Sequence, residues 1–233
     1  MKVATEAAAW RRTIREVGSC SRTRDFARGG VIPIAPPKQQ RGEVTVDRLL
    51  TAALQVYAES GHEGFTVQAV TRASGISAGS LYHHFGSFDG LAAALYARCM
   101  KQLFEEMTAA LTRSRTGPTG VRALVTAYLR FTEEHADAAL FLHASAYSGY
   151  LNAHAEEIRA AKEPFRQAIA TWLSPRIAAG EIAPIPESLI EAVVIGPIAE
   201  IARRWLSSTY DADLAEARRV LPDLIWRSLR PAP

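Results

Sequence analysis

The chain's densest gathering of chemically able side chains is in residues 66–85, TVQAVTRASGISAGSLYHHF. Hydroxyls stand at Ser77, Ser80 and Tyr82, imidazoles at His83 and His84, and glycines at Gly75 and Gly79. Two chemistries fit. Gly75-Ile76-Ser77-Ala78-Gly79 matches GxSxG, the elbow that presents a nucleophilic serine in hydrolases at a strand-to-helix turn. Alternatively, the hydroxyls and imidazoles form the outer face of a short helix that meets phosphates and base edges in a DNA groove. The elbow needs a buried strand ahead of the serine. Residues 68–74 are polar-interrupted and helical in period, and no parallel-sheet pattern occurs elsewhere, so context rejects the hydrolase.

The elements that position these groups follow from caps and periods. Thr66 caps a helix ending at Ser74, Gly75 supplies a positive φ, and Ser77 caps a second short helix ending near Gly86. That is the layout of a helix-turn-helix. At 100° per residue, Leu81 and Phe85 share one side of the second helix and pack with Val70 and Ile76, while Gly79, Ser80 and His83 face away, flanked by Tyr82 and His84. The expected roles are a phosphate contact for Tyr82 and base reading for His83. His84 is open between a structural hydrogen bond and a phosphate contact. Ahead of this unit, Val46, Leu49, Leu50, Ala53, Leu54 and Tyr57 mark one helical face, with Thr45 as the expected cap and Gly61 as the end.

The run GISAGSLYHHFGSFDGL closely resembles the tetracycline-repressor (TetR) family pattern, in which Gly, an aliphatic residue, Ser, any residue, Gly, Thr or Ser, Leu, Tyr, any residue, His and Phe follow one another. FTVQAVTRAS before it resembles that family's second helix. The resemblance implies DNA contacts from Ser77, Ala78, Gly79, Ser80, Tyr82, His83 and His84. It also implies an all-α protein, with an N-terminal three-helix helix-turn-helix domain at residues 44–90 and a helical ligand-sensing and dimerisation domain at 91–233. Family members often carry Lys or Arg in place of Ala78 and Lys in place of Phe88, and this chain has neither.

Charge is distributed unevenly. Residues 1–41 hold nine Lys or Arg against three Asp or Glu, whereas residues 42–95 hold Arg48 and Arg72 against five acids. Phosphate neutralisation supplies much of DNA affinity, so the reading domain is short of cations and the basic N-terminal arm, residues 1–43, is the candidate to supply them. A solvated, flexible arm with no DNA contact is the other reading, and Gly29-Gly30, Pro33, Pro36 and Pro37 give it a linker's composition. No apolar run reaches the roughly 20 residues of a membrane span, and the arginine-bearing N-terminus lacks a secretory core, so a cytoplasmic location is expected. Cys20 and Cys99 read as two inert thiols.

Downstream the period is helical throughout, with helices expected near 88–113, 119–135, 137–146, 150–161, 163–178, 187–207 and 212–229. The helix bearing Val193, Pro197, Ile201 and Trp205 is apolar on more than one face, and Leu221, Leu224 and Ile225 mark another after it. These seven are the candidate homodimer interface, with a monomer core as the alternative. Gly196-Pro197 is expected to kink the first of these helices. Tyr128, Phe131, Phe141, His143, Tyr147, Tyr150 and Trp172 are candidate lining for a ligand pocket, though each also serves as plain core. His135, His143 and His154 are 8 and 11 residues apart, which matches no compact metal motif. The expectation is therefore a non-enzymatic, cofactor-free homodimer. It binds double-stranded, palindromic operator DNA as a repressor and is released by a small-molecule ligand, or else it is a DNA-binding dimer with no sensor.

Overall fold

Hydroxyl caps set the starts of the short helices. Thr66 Oγ1 accepts the Ala69 amide at 3.2 Å and Ser77 Oγ accepts the Ser80 amide at 3.2 Å, each satisfying a first-turn N–H that the helix cannot. The computed structural model describes residues 38–146, 148–208 and 211–231. The reading unit is α1 (Lys38–Gly64), α2 (Val67–Ser74) and α3 (Ala78–Phe85). Behind it come α4 (Phe88–Thr112), α5 (Gly117–Glu134), α6 (Ala136–Ser145), α7 (Gly149–Ala153) and α8 (Ala155–Ala178). The chain closes with α9 (Glu187–Ile190), a π-helical turn (Glu191–Ile195), α10 (Gly196–Ser207) and α11 (Leu214–Leu229). Glu43–Pro233 is one compact unit, and no strand occurs among the described residues.

Helix α4 is the spine. Its buried Leu91, Leu95, Leu103, Met107 and Leu111 recur at helical spacing, and it packs against α3, α5, α6, α7 and α8. An aromatic joint fixes the reading unit to the body: the Tyr57 ring meets Phe65 at 5.5 Å and Phe141 at 4.8 Å, both edge to face, and Phe65 meets Phe88 at 4.8 Å. These four rings come from α1, the α1–α2 link, α4 and α6.

Several sequence expectations are corrected. Thr45 does not cap α1, because the helix already begins at Lys38. The arm expected to run to residue 43 is helical from Lys38, and its remainder, with Cys20, lies outside the described residues. Gly61, with φ of 64°, breaks the course of α1 where a stop was expected. The break expected between 161 and 163 is absent: α8 runs unbroken from Ala155 through both Pro164 and Pro175. Both prolines are exposed, as are Ala160 and Thr171 four residues earlier, so the carbonyls that lose a donor face water. The kink expected at Gly196-Pro197 takes the form of the π turn just before it, closed by the Gly196 amide reaching the Glu191 carbonyl. Pro197 cannot donate to the turn ahead of it, and one extra residue there relieves its ring.

Gly120 of α5 lies against the Trp172 ring of α8. A Cβ there would lie 2.1 Å from the Trp172 ring, which is held by its Nε1 donating to the Ser114 carbonyl at 3.1 Å and by the Arg176 guanidinium 3.8 Å over its face. Gly120→Ala is therefore expected to destabilise the fold by about 1–3 kcal/mol, measured by urea denaturation. An unchanged midpoint would show that the ring is free to move.

Candidate nucleic-acid interface

The turn between α2 and α3 is locked from below. Gly75 has φ of 68°, and Arg48 of α1 donates to the Ser74 carbonyl at 2.7 Å, satisfying a C-terminal carbonyl of α2. Ser74 Oγ accepts the Ile76 amide at 3.2 Å. One of the two arginines of residues 42–95 is thus spent inside the unit, a role that sequence reasoning missed because its partner is 26 residues away. Asp47 and Thr51 of α1 both accept from Arg98 of α4 at 3.2 Å, which ties the unit to the spine.

On this base α3 is held by fully buried Leu81 and by Phe85, packed with Val70 and Ile76. Its other face carries Ala78, Gly79, Tyr82 and His83, all exposed, with Ser80 and His84 half-buried beside them and Ser77 exposed at the cap. Tyr82 is 47% exposed, unusual for so large a ring, and nothing nearer than Ser77 Oγ at 4.0 Å approaches the Gly79 Cβ position. The His83 and His84 rings stand 5.2 Å apart. As the cap of a helix preceded by a helix and a turn, Ser77 has none of the strand context that a nucleophile elbow requires.

Residues 49–95 match the family described as bacterial regulatory proteins, tetR family. Residues 49–95 are a tetR-family segment. An uncharacterised HTH-type transcriptional regulator of Mycobacterium tuberculosis is 37% identical over 71 residues, which is 30% of this chain and 36% of that protein. The chain thus spans about a third of the length of the curated relative it matches. Beyond the tetR module the likeness is one of fold. A TetR family transcription regulator from Marinobacter aquaeolei superposes with a TM-score of 0.68 at 19% identity, covering 83% of this chain and all of that one. FadR from Bacillus subtilis, solved with stearoyl-CoA, superposes at 0.66 and 18% identity, covering 77% of this chain and 96% of that one.

Behind the tetR module lies a cavity of about 450 Å³ between α4, α5, α8, the π turn and α11. Phe104, Leu124, Phe165, Ile169, Trp172 and Ile195 supply much of its wall. Among the described residues expected to line a pocket, only Trp172 does so. Phe131 and Phe141 are fully buried core, Phe141 in the aromatic joint and Phe131 with its ring 5.1 Å from His135. Tyr128, His143 and Tyr150 lie off the cavity wall, and Tyr147 lies outside the described residues. The rings that sequence reasoning missed, Phe104 and Phe165, stack at 4.2 Å and 7°. Phe165, Ile169, Trp172 and Leu173 do form an i, i+4, i+7, i+8 stripe along α8, so the apolar face was legible although its cavity was not.

Among the interface candidates, Ile225 is only 3% exposed and belongs to the chain's own core, because α11 turns it toward α5. Val193, Pro197, Ile201, Trp205 and Leu221 are half-buried, and Leu224 is 49% exposed.

Tyr128 OH and His143 Nε2 are 3.4 Å apart. Burial pushes the phenol up and the imidazole down, with Arg203 lowering the imidazole further and Glu200 opposing. Burial likewise raises the Cys99 thiol to about 11, which leaves it inert. Since His143 titrates lower folded than unfolded, the unfolded chain binds its proton first. That stability is whole above about pH 6.5 and falls as pH drops toward the folded value. Thermal denaturation should show wild type losing more stability than His143→Gln between about pH 7 and 5. Parallel losses would place the proton elsewhere.

Proposed function

We propose that the protein is a homodimeric transcription regulator, a repressor that holds a palindromic operator through two copies of α3 and releases it when a small, mostly apolar molecule fills the cavity. The observation that carries the reading is the exposed α3 face of Ala78, Gly79, Tyr82 and His83 on a turn locked by Arg48. Ser77 and Tyr82 meet phosphate, Gly79 admits the backbone close to DNA, His83 reads a base edge, and Ser80 and His84 support from the flanks. Residues 44–90 form the reading domain and 91–233 the sensing and dimerising domain. The half-exposed apolar side chains of α10 and α11, chiefly Ile201, Trp205, Leu221 and Leu224, meet a second copy. With Arg48 engaged internally, phosphate neutralisation falls to Arg72 and to the nine cations of residues 1–41.

Release works through spacing. Two recognition helices must sit about 34–36 Å apart to enter successive major grooves. Helix α4 starts three residues after α3 and carries Phe104 into the cavity wall, so a ligand pressing on Phe104 bears on the element that sets the spacing. FadR with stearoyl-CoA supports the reading, since a protein of this fold accommodates a long apolar ligand.

Tyr82→Phe should weaken binding to all DNA sequences alike. His83→Ala should also relax base preference, by about 1–3 kcal/mol at the position read. Salt-controlled titrations on a selected operator and its scrambled version measure both. A His83→Ala variant with native affinity and preference would place the reading face elsewhere. Ligands found by thermal-shift screening of apolar compounds should lower operator affinity with a coupling of about 1–3 kcal/mol, and the operator should weaken them equally. Cavity-binding hits that leave operator affinity unchanged at saturation would reduce the helical body to a dimerisation scaffold.

A further inference from the structure

We propose that the cavity takes an amphipathic anion, its apolar chain lying among Phe104, Phe165, Trp172 and Ile195 and its acidic head replacing Glu191 on Lys162. What such a ligand does to DNA rests on the sensor reading above; its binding stands on the cavity alone.

The walls are apolar apart from three charged residues, Lys162, Arg166 and Glu191. Lys162 and Arg166 are one helical turn apart on α8, so they share a side, and both border the cavity. Arg166 is engaged by Glu163 at 2.9 and 3.1 Å. Lys162 Nζ is only loosely paired, 3.8 Å from the Glu191 carboxylate across the gap to the π turn. Two cations and one acid therefore border an otherwise apolar space. A cationic ligand would meet repulsion, and a neutral one would gain at most a hydrogen bond from Lys162. An acid with an apolar chain satisfies both the walls and the ammonium. The pair it displaces is half exposed and long, which is the kind of ion pair that holds least.

Glu191 also opens the π turn, from which α10 continues without a break at Gly196. Releasing Glu191 from Lys162 removes a tether between α8 and the element leading into α10. The acidic head has two possible sources, the carboxylate of a free acid or the phosphates of a thioester-linked carrier.

Calorimetry on the full chain with decanoate, decanol and decanoyl-CoA, each below its micelle concentration, tests the proposal. Decanoate or decanoyl-CoA should bind about fivefold more tightly than decanol, the scale of one partly exposed ion pair. Lys162→Met should abolish that preference while leaving decanol affinity in place, and Glu191→Gln should strengthen the acidic probes by removing their competitor. Ala170→Phe, at the cavity's exposed edge, should weaken all three probes with the melting temperature retained. Tighter binding of decanoyl-CoA than of decanoate assigns the head to phosphate, and the reverse assigns it to carboxylate. Equal binding of acid and alcohol, a preference that survives Lys162→Met, full binding by Ala170→Phe, or no binding by any probe would overturn the proposal. If the pattern holds while saturating decanoate leaves operator affinity unchanged, the sensor reading falls and the site stands.

Discussion

The edge-to-face contact between Tyr57 and Phe141 is the constraint on which the rest of the molecule depends. A three-helix reading unit of this size has little core of its own, with Leu49, Ala53, Val56, Val70 and Leu81 as its main buried apolar residues. It gains the remainder by inserting the Tyr57 ring against α6 and by setting the Phe65 ring, tilted, against Phe88 at the start of α4. The orientation of α3 is therefore not a property of the reading unit alone. It is set by two rings that belong to the body, and any shift of α4 or α6 is felt at the recognition face.

Charge is allocated to the same end. Arg48 and Arg98 bind α1 to the α2 terminus and to α4 rather than facing outward. The reading unit consequently gains rigidity and loses phosphate-neutralising capacity. On the proposed reading, long-range steering of DNA would fall to Arg72 and the basic residues of 1–41, and α3 would contribute hydroxyls, imidazoles and close backbone approach, which position and specify without net charge.

Much of the reading unit was legible in the sequence because its determinants are local. Thr66, Gly75 and Ser77 act on neighbours within four residues, and the opposition of Leu81 and Phe85 to Gly79 and His83 follows from helical period. The cavity was not legible, since aromatic content does not state which rings pack with each other. Phe131 and Phe141 have the same composition signal as Phe104 and Phe165, yet the first pair fills core and the second stacks at a cavity wall. The continuity of α8 escaped for a related reason: Pro164 costs a helix least where the orphaned carbonyl reaches water, and the exposure of Ala160 is a tertiary fact. The π turn before Pro197 likewise trades an expected kink for one extra residue.

On the proposed reading, filling the cavity changes the separation of the two α3 helices through α4. Pulsed electron spin resonance between nitroxides at Ala73→Cys, in a Cys20→Ser background with buried Cys99 retained, reads that separation between two copies of the chain. The operator complex should give one narrow distance distribution, consistent with helices about 34–36 Å apart. Saturating decanoate in the absence of DNA should give a different mean distance. Identical distributions in the two states, or no intermolecular distance at all, would contradict the claim.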